Sequence, residues 1–289
     1  MSKKIAWVTD STASFNQTEQ QWLKDNHIYV VPLSVRFGDE VYKEGIEISI
    51  EEFYEKMRTS EESPNSSQPS LGDFINLYHM LKESYDEAIV IHCSSALSGT
   101  YSTSTQAASM VDFPVHSVDS WIGAFPLKFI VQEGVRLYQD GHSPSEVVTA
   151  LLSLREKCQL LLIPASLEQL RKGGRVSNFG SILGNLLQIK PILGFKEGKV
   201  NIIEKVRTMK KAESTILARL AEAYEKGIHE RVGIMYAGEQ EQAHKLSERI
   251  REAYSHLKIE ILPLIPVAGV HTGFGTIGLS WIEKDKKKE

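Results

Sequence analysis

The sequence predicts an α/β protein, with a parallel-sheet N-terminal domain over residues 1–160 and a smaller α+β domain over residues 161–289. Three observations predict it. Short apolar runs alternate with segments of helical periodicity as far as about residue 160, as βαβ units require. Two of those runs, Ile5–Val8 and Val115–Val118, are closed by Asp-Ser, at Asp10-Ser11 and Asp119-Ser120, which reads as two strands ending on one sheet edge. Beyond residue 160 a hairpin pattern appears among amphipathic helices.

The elements follow in order. Ile5–Val8 is a buried strand that turns polar at Asp10-Ser11-Thr12, and Ile28–Leu33 is a second. Glu51–Arg58 is helical. Leu71–Tyr85 is too, with Leu71, Phe74, Ile75, Tyr78 and Leu81 near helical spacing. Thr59–Ser70, polar and carrying two prolines, reads as an exposed loop between them. Ala88–Ile91 is the third strand and Val115–Val118 the fourth. Helices are expected over Ile122–Gln139 and Ser145–Lys157, the latter started by Ser143-Pro144. In the second domain, Leu160–Ile163 is a strand leading to a short helix at Leu167–Leu170 and the Gly173-Gly174 turn. Ser181–Gln188 is a further helix. Pro191–Phe195 and Val200–Val206 flank Glu197-Gly198 as a hairpin. Lys210–Lys226 and Gln240–His256 are amphipathic helices, with strands at Val232–Tyr236, Ile259–Leu264 and Ile277–Ile282.

Composition narrows the class. The chain has 289 residues, 42% hydrophobic and 24% charged, which is enough apolar material for a core. Its formal net charge of −4 gives no global attraction to nucleic acid or to an anionic membrane. Two cysteines, Cys93 and Cys158, argue against a disulfide framework and for a reducing compartment. Four apolar residues at Ile5–Val8 are too few for a signal peptide, and no run approaches the ~18–20 residues of a membrane helix. A cytoplasmic protein that is not integral to a membrane is expected.

Four segments point to one chemistry, the binding of an anion. They are Ser66–Ser70, Ser94–Tyr101, Arg171–Ser177 and His271–Gly278. Ser94–Tyr101 follows a strand and opens a helix, so unpaired N–H groups and hydroxyls coincide there. Ligands of open parallel sheets sit beyond the carboxyl ends of strands, which puts Asp10-Ser11-Thr12 and Asp119-Ser120 on the same edge. Gly273–Gly278 matches the G-x-G-x-x-G spacing, but only 11 residues follow it and they lean to strand, so a dinucleotide site is rejected. The spacings of a Walker A loop, a serine-hydrolase elbow and a zinc site are absent, and no cofactor or metal is expected.

Taken in order, the segments resemble the DegV family of bacterial fatty-acid-binding proteins, which are lipid-carrier subunits of fatty acid kinase. The resemblance rests on Val8–Thr12, Val31-Pro32-Leu33, Ser67–Ser70, Ser94–Tyr101, Val118-Asp119-Ser120, Leu170–Ser177, Lys205-Val206-Arg207 and His271–Gly278. It implies two domains with a long-chain fatty acid in a tunnel between and beneath them. It also implies that Ser66, Ser95 and His271 hold the acyl carboxylate, with Ser94 and Thr272 in the same ligand-binding set. Which of Ser94 and Ser95 faces the ligand stays open. Where the family usually has threonine this chain has Ser66, which keeps the hydroxyl. Arg175 would face an incoming phosphoryl group, and Arg171 and Lys172 would help receive the kinase.

The implied partners are a long-chain fatty acid, an ATP-dependent fatty acid kinase and a transient acyltransferase contact. The chain itself is expected to be no enzyme, holding the acyl phosphate product for phospholipid synthesis. Leu183, Leu186, Leu187, Ile189, Ile192, Leu193, Ile261, Leu262, Leu264 and Ile265 are candidates to line the tail, or simply core. Two alternatives stand beside this reading. One is a stand-alone serine hydrolase or acyltransferase, with Ser95 as nucleophile, His271 as base and Asp119 as orienting group. The other is a passive lipid carrier.

Overall fold

The computed structural model describes residues 3–177 and 189–285. They divide into two compact units, one within residues 3–49 and 64–156 and the other within residues 50–63, 157–177 and 189–285. The expected helix Ser181–Gln188, with Leu183, Leu186 and Leu187, lies outside the described residues.

The first unit is built on a parallel sheet of β1 (Ile5–Asp10), β2 (Ile28–Val31), β6 (Glu87–His92) and β7 (Val115–Asp119), in the order β2-β1-β6-β7. Alternation along β1 sends Ala6 and Val8 to one face and Trp7 to the other. Ala6 and Val8 pack with Val90, Phe74, Tyr78, Leu81, Ala107 and Val111 under α3 (Leu71–Lys82) and α4 (Thr100–Val111). Trp7 meets Gly134 of α5 (Ala124–Gln139), beside Leu151 of α6 (Pro144–Leu154). Ser143 starts α6 as expected, in a capping box with Glu146.

A second, antiparallel sheet of this unit has the order β4-β3-β5, from β3 (Ser34–Phe37), β4 (Glu40–Lys43) and β5 (Asn65–Ser67). Here the expectation of a plain loop over Thr59–Ser70 is corrected. Asn65–Ser67 pairs with Arg36, Val35 and Ser34, so Ser66 sits opposite Val35 in a strand. The three residues are too few and too polar to display an alternating pattern.

The second unit carries a mixed sheet in the order β13-β12-β14-β8-β10-β11-β9. Its strands are β8 (Cys158–Ile163), β9 (Val176–Ser177), β10 (Lys190–Lys196), β11 (Lys199–Val206), β12 (Ile228–Tyr236), β13 (Lys258–Pro263) and β14 (Ile277–Glu283). β10 and β11 form the expected hairpin. One face buries Leu161, Ile163, Ile192, Ile234, Leu279 and Trp281 against α8 (Met209–Lys226) and α9 (Glu241–Ala253). Ile192, one of the tail-lining candidates, is therefore part of this core.

Two shorter helices, α7 (Leu167–Gly173) and α10 (Pro266–Thr272), flank the sheet's connections. The helix Ile50–Thr59, α2, belongs to this unit, where Tyr54 donates a buried hydrogen bond to the Leu264 carbonyl at 2.9 Å. No helix among the described residues is long and apolar enough to cross a membrane. Replacing Tyr54→Phe keeps the ring and removes that bond, and is expected to cost about 1–2 kcal/mol, read as a lower urea midpoint at unchanged slope.

Candidate functional site

In the first unit, strand order fixes where chemistry can gather. The chain leaves β1 for β2 on one side, while β6 lies on the other, so the order reverses between β1 and β6. Such a switch point leaves an opening at the carboxyl ends of the two strands. The loops after β1, β6 and β7 meet there. Cys93 N donates to Asp10 Oδ2 at 2.9 Å, Ser94 N to Ile122 O at 3.0 Å and Ser120 N to His92 O at 3.1 Å. The Ser94–Gly99 turn is closed by Leu97 N and Ser98 N on Ser94 O, and Gly99 caps α4 with no side-chain bond. The segment carrying Ser66 runs to the same turn. Gln68 Nε2 donates to Thr103 Oγ1 at 2.6 Å, and its amide fills the space that a Cβ on Gly99 would take.

The two serines differ. Ser94 is wholly buried, whereas Ser95 is exposed. Ser95 Oγ donates to Asp119 Oδ2 at 2.5 Å, and Ser95 N donates to Oδ1 at 3.1 Å. In this rotamer Ser95 offers an approaching group a lone pair. To donate to a carboxylate it must turn from Asp119.

The segment after Asp119 is strained. Trp121 and Ala124 have φ of 60° and 54°, in the left-handed region that costs a residue with a Cβ roughly 1–2 kcal/mol. Arg155 holds it, with its guanidinium 3.6 Å from the Trp121 ring centroid and Nη1 donating to Asp119 O at 2.7 Å. Strain persists where the surroundings over-determine the backbone, which is common beside binding sites.

In the second unit, α7 and α10 bring Arg175, His271 and Thr272 into one region. Thr272 O accepts from Ala165 N and Ser166 N, and its hydroxyl donates back to Ala268 O at 3.0 Å, so that proton is committed to the helix. Gly173 has no side chain, which lets the His271 imidazole lie against its backbone. Arg175 Nη1 donates to Gly173 O at 2.7 Å, which draws its charge toward the ring. Burial, and then the Arg175 charge, push the His271 pKa down to about 4. The ring is neutral at pH 7, with one nitrogen protonated. Gly273 and Gly275, both with φ of 92°, turn the chain from α10 into β14. This helix-to-strand order is the reverse of a dinucleotide fingerprint.

The sequence reading passed over a different constellation. Asp10, His92 and Ser104 are wholly buried and joined in line. His92 Nδ1 lies 3.1 Å from Asp10 Oδ2, His92 Nε2 lies 2.8 Å from Ser104 Oγ, and Tyr78 Oη lies 2.5 Å from the same Oγ. The order is that of a Ser-His-Asp triad, but the serine is sealed inside α4 and capped by a tyrosine, so no substrate reaches it. Ser95, the nucleophile of the hydrolase alternative, has Asp119 and no histidine as its hydrogen-bond partner among the described residues. The available signal for the buried set was a polar residue closing each of two apolar runs, Asp10 soon after Val8 and His92 after Ile91.

Nuclear magnetic resonance titration of the free protein should place the His271 midpoint near pH 4, and Arg175→Gln should raise it by removing a like charge. The unfolded chain takes up this proton near pH 6.5, so it binds more protons than the folded one between about pH 6.5 and 4. Stability therefore falls as pH drops through that window, by on the order of 3 kcal/mol for this group. His271→Asn should flatten the pH dependence of the urea midpoint there.

The model of the DegV family matches residues 4–284. A DegV domain-containing protein of Halalkalibacterium halodurans is 39% identical over 284 residues, covering 97% of this chain and 99% of the relative. Protein DegV of Bacillus subtilis is 36% identical over 282 residues, with coverage of 97% and 99%. Among solved structures, DegV of Bacillus subtilis, described as a fatty acid binding protein, has a TM-score of 0.89 at 35% identity, covering 98% of this chain and all of that one. A DegV family protein from Thermus thermophilus, described by its fatty acid binding, has a TM-score of 0.86 at 32% identity, covering 97% and 100%. With its family pattern matched from end to end, this chain belongs to the DegV family.

Proposed function

We propose that this protein binds a long-chain fatty acid and presents its carboxyl group to an ATP-dependent kinase. The single observation that carries the binding step is the likeness, at 35% and 32% identity over nearly the whole chain, to solved proteins described as binding fatty acids. The local chemistry supports it. Each methylene moved out of water contributes about 0.8 kcal/mol, so a long acyl chain binds through its tail. The headgroup needs donors that do not demand a full buried counter-ion. Ser66 and one of Ser94 and Ser95 in the first unit, with neutral His271 in the second, have that character. Thr272 stays in the set as a support for its neighbour, because its proton is used within α10.

The kinase step is what the resemblance to the DegV family implies, and Arg175 is the residue that would serve it. A carboxylate oxygen of the bound acid attacks the γ-phosphorus of ATP, the bond to the ADP oxygen breaks, and an acyl phosphate forms. Arg175 has the fork geometry to meet the phosphoryl oxygens, and Arg171 and Lys172 lie on α7 just before it. The nucleotide and its magnesium belong to the partner. The product then passes to phospholipid synthesis through an acyltransferase. Cytoplasmic location follows from the same reading.

Denaturing mass spectrometry of the purified protein should detect about one equivalent of a long-chain monocarboxylic acid. Its absence, together with no uptake of added oleate, would overturn the binding reading. Bound oleate is expected to raise the His271 midpoint above its free value, since a nearby carboxylate favours the imidazolium. Gly173→Ala places a methyl group where the imidazole lies, and should weaken oleate binding about tenfold without unfolding the chain. Arg175→Ala should retain oleate yet lower acyl-phosphate formation with kinase and ATP. Equal losses in both assays would contradict the role given to Arg175.

A further inference from the structure

We propose that Asp10, oriented by His92, is a positioning residue that sets the Ser94-Ser95 turn for the ligand carboxyl. The proposal rests on the fatty-acid reading for the identity of that ligand, but not for the positioning itself. Asp10 ends β1, and its two oxygens take four hydrogen bonds. Thr12 N and Thr12 Oγ1 donate to Oδ1 at 3.0 and 2.5 Å, while His92 Nδ1 and Cys93 N meet Oδ2 at 3.1 and 2.9 Å. Cys93 is the residue at which the chain leaves β6 for the serine turn. The carboxylate thus takes the place of a neighbouring strand's carbonyl where β1 has already curled away. The next residue is fixed by Ser94 N on Ile122 O, and the one after by Ser95 on Asp119. Removing the first of these three anchors frees the turn at its root.

The backbone donors fix the direction of the bonds at Asp10. Asp10 is an acceptor at both oxygens, since Thr12 N and Cys93 N can only donate. His92 Nδ1 therefore carries a proton toward Asp10, while its Nε2 shares a hydrogen bond with Ser104 Oγ. Ser104 Oγ shares a second hydrogen bond with Tyr78 Oη. The line runs from Tyr78 through Ser104 and His92 to Asp10 and links the serine turn to the core of α3 and α4.

An Asn at position 10 cannot satisfy it. Whichever way the amide is turned, its NH2 group faces either Cys93 N–H or Thr12 N–H, and one backbone donor is left against another. At position 92, Asn keeps a donor near the place of Nδ1, whereas Leu keeps none.

The test compares Asp10→Asn, His92→Leu, His92→Asn and Tyr78→Phe with the parent protein. Tyr78→Phe is the control, because it loosens the far end of the same line and leaves the bonds to Asp10 in place. The first readout needs no ligand. Hydrogen exchange of the Cys93, Ser94 and Ser95 amides should quicken about tenfold in Asp10→Asn and His92→Leu, recover in His92→Asn, and stay near parental in Tyr78→Phe. The second readout is the carboxyl resonance of bound oleate labelled at carbon 1, which should move in the first two variants and hold in the other two. If Asp10→Asn fails to fold, the contrast between His92→Leu and His92→Asn decides. Parental exchange and an unmoved resonance in folded His92→Leu would overturn the proposal. If the parent protein binds no oleate, the fatty-acid reading fails, and the exchange contrast still decides whether Asp10 sets the turn.

Discussion

One buried carboxylate ties together the loops at the carboxyl ends of the first unit's parallel strands. Asp10 sits where strand order reverses, and all of its acceptor capacity goes to holding two chain exits together. Taking a carboxylate out of water raises its affinity for protons. Here the hydrogen bonds from His92, Thr12 and Cys93 N–H, with the influence of the imidazole, outweigh burial and hold the Asp10 carboxyl below its ordinary range. The group stays ionised where an isolated buried acid would not, and it can only accept. Through Cys93 N–H it reaches the root of the serine turn, while Arg155 separately holds the strained segment after Asp119.

The two sets of candidate ligand residues solve the same problem in different ways. The first unit supplies hydroxyls and backbone donors around fixed acceptors. The second supplies a neutral imidazole kept neutral by burial and a nearby guanidinium. Neither set places a bare positive charge in a dry site. Donors of this kind can satisfy an anion without the desolvation cost of a buried counter-ion. Cys93, although next to Ser94, has its thiol pushed up by burial and by Asp10, so it is a packing residue and no nucleophile.

Much of the fold was legible because its signals are local. The runs at Ile5–Val8, Ala88–Ile91 and Leu160–Ile163, the capping box at Ser143 and the hairpin around Glu197-Gly198 each declare themselves within a few residues. Ser94–Tyr101 was legible as a strand-to-helix turn for the same reason. What sequence did not display depends on distant partners. β5 exists because Val35 offers Ser66 a neighbour, not because Asn65-Ser66-Ser67 favours a strand. The link of Asp10 to His92 spans 82 positions, and neither residue type at a strand end foretells it. The direction of the Ser95 hydroxyl depends on Asp119, 24 residues on, so residue type alone named the group without showing where its proton goes.

The placement of α2 has a consequence for synthesis. Phe53 and Tyr54 are buried in the second unit, yet they are made early, and the carbonyl that Tyr54 contacts lies 210 residues further on. At translation speeds of roughly 5–20 residues per second that interval is about 10–40 s. Throughout it two large aromatic side chains have left the ribosome without their final neighbours. The Tyr54 hydroxyl can reach its final acceptor only after Leu264 has been added, so this contact closes late in synthesis although the helix that carries it is made early.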